Sequence, residues 1–120
     1  MKHISVLLKE SIDGLNLKED SIVVDCTLGY GGHSSEILKR IKKGHLYAFD
    51  QDEEAIAFSS GRLSEIGDNF TIIHANFANL KEELEKRGIT KVDAILFEVG
   101  VSSPQLDEAA RGFSYHPVSY

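Results

Sequence analysis

Short apolar runs alternate along this chain with longer segments whose apolar positions recur at helical spacing. Ser21 to Asp25 holds an Ile-Val-Val run behind the charged Lys18, Glu19 and Asp20, and predicts a first strand. Ser34 or Ser35 is placed to cap a helix with Ile37, Leu38 and Ile41 on one face. Lys39, Arg40, Lys42 and Lys43 crowd its end, where cations suit the helix dipole, and Gly44 closes it. Leu46 to Phe49, ending in Asp50, predicts strand two. An acidic turn of Asp52, Glu53 and Glu54 then opens a helix burying Ile56, Phe58 and Leu63. Gly67-Asp68-Asn69 reads as a turn into a third strand, Phe70 to Ile73. Asn79 with Glu82 has the spacing of a capping box for a helix burying Leu80 and Leu84 and stopped at Gly88. Ala94 to Phe97, ending in Glu98, predicts strand four. Ahead of all this, Val6, Leu7, Leu8, Ile12 and Leu15 predict a short amphipathic helix ended by Gly14 and Asn16.

Strands apolar throughout, alternating with helices, call for a parallel sheet covered on both faces. The expected architecture is therefore a doubly wound α/β domain. The alternation stops at strand four, which predicts an incomplete sheet whose fourth strand is an exposed apolar edge inviting self-association.

The chemistry gathers where the strands end. Val23-Val24-Asp25-Cys26-Thr27-Leu28-Gly29-Tyr30-Gly31-Gly32-His33-Ser34 is strand, glycine turn and helix start in succession. That order cradles a nucleotide-like ligand, because glycines let it approach the backbone and the new helix offers unpaired N–H groups. Ser34 stands where the dinucleotide fingerprint has its third glycine, so the loop alone is weak evidence and also reads as a plain strand–helix turn. Asp50 adds weight: it ends strand two about 20 residues beyond the loop, where an acid accepts from both ribose hydroxyls. Phe77, just past strand three, either packs on an adenine ring or fills the core. Glu98 ends strand four at the same edge, where open α/β sheets bind ligands. His33 either meets a ligand carboxylate or caps its own helix.

Other chemistries are thinly represented. His3, His45, His74 and His116 lack metal-ligand spacing, and the lone Cys26 reads as a strand-end filler. No Ser-His-Asp arrangement emerges, so no residue is assigned a catalytic role. The net charge of −6 over 120 residues argues against strong nucleic-acid binding by this chain alone. No apolar run approaches the ~20 residues that span a bilayer, and Met1-Lys2-His3-Ile4-Ser5 opens nothing like a secretory signal. One cysteine fits a reducing cytoplasm, the expected location.

Three segments together resemble a known family. His3-Ile4-Ser5-Val6-Leu7-Leu8-Lys9-Glu10, the stretch Asp25 to Ser34, and Gly100-Val101-Ser102-Ser103-Pro104-Gln105-Leu106-Asp107 resemble the RsmH family, also called MraW. The Gly100 to Asp107 run and Arg111-Gly112-Phe113-Ser114 are the more specific parts, and the resemblance extends from about His3 to His116. It implies a Rossmann-like class I methyltransferase using S-adenosylmethionine to methylate the exocyclic N4 of a cytosine in the decoding region of bacterial 16S ribosomal RNA. By the same resemblance Gly31, Gly32 and His33 hold the methionine end of the cofactor. Asp50 binds its ribose, Phe77 flanks its adenine, and Gln105 contacts the cofactor from the loop after strand four. The N4 amine attacks the sulfonium methyl in line, so positioning and charge accommodation are the protein's main tasks.

Two departures stand out. Glu98-Val99-Gly100 replaces the family's Asp-Leu-Gly, reaching one carbon–carbon bond further into the pocket. A shift near 1 Å can cost about a hundredfold in rate, so weaker cofactor binding is expected. The family also continues beyond His116 into an acidic Asp-Met-Arg-Met-Asp segment, an inserted helical domain and further strands, whereas this sequence reads Pro117-Val118-Ser119-Tyr120. Residues 1–120 are therefore expected to be a single partial domain, the cofactor-binding half, lacking much of the RNA-binding surface. Two alternatives stay open: a non-catalytic remnant that binds a nucleoside cofactor or self-associates, and a nicotinamide-dependent oxidoreductase domain.

Overall fold

Apolar runs bounded by acids and turn residues become strands, and the segments between them become helices. A computed structural model describes residue 12 and residues 16–97, 108, 111–113 and 116–119, the last four through their backbone. The elements are β1 (Ile22–Asp25), α1 (Gly32–Arg40), β2 (His45–Asp50), α2 (Glu53–Ser64), β3 (Phe70–His74), a 3-10 turn (Phe77–Asn79), α3 (Leu80–Lys86), β4 (Ala94–Phe97) and β5 (His116–Ser119). All the strands pair in parallel, in the order β3-β2-β1-β4-β5.

The fifth strand corrects the expected four-stranded sheet. His116–Ser119 lies beside β4, with Ala94 opposite His116 and Phe97 opposite Ser119. The fourth strand is therefore paired on both sides, and the expected apolar edge there does not exist. The predicted N-terminal helix lies outside the described residues except for Ile12, which is fully buried.

Alternation along each strand divides the core into two layers. Val23, Leu46, Ala48, Ala94 and Leu96 face one way, against Ile37, Leu38 and Ile41 and against Leu63 of α2. Val24, Tyr47, Phe49, Ile73 and Ile95 face the other, against Leu80 and Leu84 of α3. Covered on both faces, the sheet needs strands that are apolar at successive positions.

Three local expectations fail. Ser34 and Ser35 do not cap α1 but lie buried inside it, and Gly31 occupies the cap position. Phe58 points outward, 56% exposed and edge-on to Tyr30, while Ala55 and Ser59 take the inner face of α2 with Leu63. The Asn79–Glu82 capping box does not form, since Asn79 makes no side-chain cap bond. Asn76 instead accepts from the Ala78 N–H at 2.8 Å and caps the short turn before α3. Asp52, by contrast, caps α2, accepting from the Glu54 N–H at 2.9 Å, and so opens the helix where the acidic turn was expected.

Candidate cofactor site

Parallel strands deliver their last residues to one edge of a sheet, and here β1, β2 and β3 each bring a turn with them. Between those turns lies a cavity of about 340 Å³ walled by Cys26, Thr27, Gly29, Phe49, Asp50, Gln51, Ala75, Asn76 and Phe77. The structure thus brings together Asp50, Phe77 and the front of the glycine loop. Gly31, Gly32 and His33 lie beside the cavity, at the start of α1, and are not among its walls. Glu98 and Gln105 fall outside the described residues.

Asp50 is fixed by the backbone. One carboxylate oxygen accepts from the Gly29 N–H and the other from the Asp52 N–H, both at 2.9 Å. A carboxylate offers about four acceptor positions, so two such bonds orient it and leave lone pairs for hydroxyl donors in the cavity. Phe77 is half-buried: it packs against the Leu80–Leu84 layer and also forms a wall of the cavity.

The loop itself rests on a carboxylate to which the sequence reading gave no role. Asp25 is completely buried at the end of β1. One of its oxygens accepts from the Thr27 N–H at 2.8 Å and the Thr27 hydroxyl at 2.7 Å, and the other from the Ser34 hydroxyl at 2.7 Å. A buried charge must be met by donors, and this one is met three times. Ser35 donates to the Gly31 carbonyl, Ser59 to the Gly29 carbonyl at 2.6 Å, and Arg62 to the Tyr30 carbonyl at 3.0 Å. Gly31 has φ of +88°, and a Cβ there would stand 3.3 Å from the Ser59 hydroxyl oxygen, so the turn admits glycine readily and little else. Among the described residues, no buried side-chain nitrogen or oxygen lacks a hydrogen-bond partner. The signal in the sequence was an acid closing an apolar run, with hydroxyl residues two and nine positions on. Nothing in the sequence pointed to Ser59.

Burial sets the protonation of the groups around the loop. The Cys26 thiol is pushed well above its ordinary range, first by burial and then by the Asp25 charge, so it stays protonated. Burial lowers the pKa of His33, opposed by the nearby Asp25 carboxylate, and burial also lowers that of His45, whose Nε2 lies 2.8 Å from the Thr71 hydroxyl. The sign follows directly. Below the ordinary value of 6.5 the unfolded chain takes up protons at these two positions before the folded chain does, so they cost stability as pH falls. The depressed Glu36 and Glu83 act in the same direction, but only below their ordinary 4.5. Thermal melts are thus expected at lower temperature at pH 5 than at pH 7. The double variant His33→Gln, His45→Gln should lose less over that interval, and an unchanged pH dependence would count against these assignments.

Among the described residues, no helix is long and apolar enough to cross a membrane, and no group of three His, Cys, Asp or Glu is placed to hold a metal ion. The strand order β3-β2-β1-β4-β5, parallel throughout, with a cavity beyond the carboxyl ends of β1, β2 and β3, is that of the Rossmann-like fold of class I S-adenosylmethionine-dependent methyltransferases. Solved structures agree on the fold. An rRNA methylase from Streptococcus thermophilus superposes with a TM-score of 0.71 at 24% identity, over 93% of this chain and 68% of that one. The precorrin-6y C5,15-methyltransferase of Geobacter metallireducens gives 0.71 at 19% identity, over 89% of this chain and 56% of that one.

The chain belongs to the MraW methylase family, which it matches over residues 1–119. It is 61% identical over 115 residues to the ribosomal RNA small subunit methyltransferase H of Exiguobacterium sibiricum, covering 96% of this chain and 37% of that protein. The corresponding protein of Mesoplasma florum is 58% identical over 114 residues, with 95% and 37% covered. The chain therefore spans a little over a third of the length of these relatives.

Proposed function

We propose that this chain is the cofactor-binding part of an S-adenosylmethionine-dependent methyltransferase acting in the cytoplasm on N4 of a cytosine in the decoding region of 16S ribosomal RNA. The observation that carries the reading is Asp50, oriented by two backbone N–H groups in the wall of a cavity that also presents Phe77. That arrangement fits a nucleoside: the carboxylate would accept from ribose hydroxyls and Phe77 would pack on the adenine. Gly31, Gly32 and His33 would hold the methionine end beside the N-terminus of α1, and Glu98 and Gln105 would add contacts from beyond β4. When bound, the cofactor supplies an electrophilic sulfonium methyl. The protein's part is to hold that group and the amine in line. The rest of the pocket and the RNA-binding surface would belong to the length of the relatives that residues 1–120 do not span. Membership of a methylase family speaks against the nicotinamide alternative.

Calorimetric titration tests the cofactor part. S-adenosylmethionine is expected to bind saturably and NAD not at all, with Asp50→Ala weakening the former about tenfold or more through lost bonds to a charged acceptor. Equal affinity in Asp50→Ala, with its thermal melt intact, would overturn the assignment. The substrate part is tested on the longer relatives' scale. Labelled methyl should reach small-subunit rRNA and be recovered after digestion as N4-methylcytidine, and label on any other nucleoside would refute it.

A further inference from the structure

We infer that α2 is the positioning element for the ribose carboxylate, with Ser59 its principal contact and Arg62 its second. The inference rests on the cofactor reading above and concerns how the acid is held. Asp50 is tied to α2 by two routes. Its first oxygen accepts from the N–H of Asp52, the residue that caps α2. Its second accepts from the N–H of Gly29, whose own carbonyl accepts from Ser59, nearly two turns into the same helix. The circuit runs from Asp50 through Asp52, along α2 to Ser59, across to Gly29 and back to Asp50. Arg62 adds a bond to the next carbonyl of the loop, at Tyr30.

The placement of side chains on α2 supports this role over simple packing. Ser59 is completely buried and sits beside Gly31, where a larger residue would meet the loop backbone, while the neighbouring Phe58 is turned out to solvent. An apolar contact there would fill space. A hydroxyl both fills it and holds the Gly29–Tyr30 peptide, which lies across the Gly29 Cα, at φ +48°, from the Leu28–Gly29 peptide whose N–H meets Asp50. Pinning both sides of that Cα restricts its torsions. Ser59 touches no reacting atom, so it is a positioning residue.

The test combines binding with amide exchange, since a packing role alone would not link the two. Ser59→Ala is expected to weaken S-adenosylmethionine binding about fivefold to tenfold, the loss set by one buried hydrogen bond. It should also speed exchange of the Gly29 amide about tenfold, with the Val23 and Val24 amides unchanged. Arg62→Ala, at an exposed site that cannot unfold the core, should weaken binding about twofold. In an Asp50→Ala background, Ser59→Ala should cost less than twofold more, because the two act through one another. Affinity within twofold of the parent, or lost affinity with unchanged Gly29 exchange, would overturn the inference. If the parent chain bound no S-adenosylmethionine while Ser59→Ala still exposed the Gly29 amide, the cofactor reading would fall and the bracing by α2 would stand.

Discussion

Gly44→Ala is expected to lower the stability of this domain by about 3 kcal/mol or more, the high end of what overpacking costs. A Cβ at Gly44 would lie 1.9 Å from the Ser21 carbonyl oxygen and 2.9 Å from the carbonyl carbons of Asp20 and Ser21. These are backbone atoms, so no side chain can swing aside. Nor can the backbone yield easily. The Asn69 amide donates to the carbonyls of Ile41 and Gly44, and the His45 N–H bonds the same Ser21 oxygen at 3.2 Å. Moving Gly44 away would break the entrance to both β1 and β2. For a domain of this size the loss corresponds to a fall in melting temperature of roughly 10–20 °C. A shift of only a few degrees, read by circular dichroism, would mean that the approach of Gly44 to the Ser21 carbonyl at the start of β1 and β2 is looser than described.

The second large effect lies at Asp25. Asp25→Ala removes the acceptor for the Thr27 N–H, the Thr27 hydroxyl and the Ser34 hydroxyl in one step. Each buried donor left unsatisfied costs about 1–3 kcal/mol, so a total near 3–4 kcal/mol is expected after water reaches the more open Thr27. Asp25→Asn keeps one acceptor oxygen and should cost clearly less. Urea denaturation of the two variants decides the matter. Equal losses in both would show that the charge itself, and not the count of satisfied donors, is what the turn requires.

The strands that form the middle of the sheet were plain in the sequence, and one edge was not. Val23-Val24, Leu46 to Phe49 and Ala94 to Phe97 are apolar at consecutive positions, as doubly covered strands must be. The segment His116–Ser119 offers one aliphatic residue and Pro117, which has no N–H to give to a ladder. Such a segment reads as a loop, yet it occupies the outside of the described sheet, the position where proline is tolerated in a strand. The site was legible in the same uneven way. Asp50 and Phe77 announced themselves by following apolar runs, whereas the roles of Ser34, Ser35 and Ser59 depend on which carboxylate or carbonyl the fold sets opposite them. A serine near a helix start looks like a cap until a buried Asp25 or a bare carbonyl claims its hydroxyl.

The strand order also bears on how quickly the molecule can assemble. Every wall of the cavity comes from Cys26 to Phe77, one continuous stretch in which each strand pairs with its successor in the chain. The other flank of β1 has to wait for β4: the Ile22 N–H meets the Asp93 carboxylate across a separation of 71 residues. Closing a long loop adds only modestly to the free energy, since each doubling costs about 0.6 kcal/mol. It weighs far more on rate, because non-local pairings are what slow the folding of small domains. The cavity is thus confined to the half of the sheet whose pairings span the shorter sequence separations, and β4 and β5 add pairings across the longer ones.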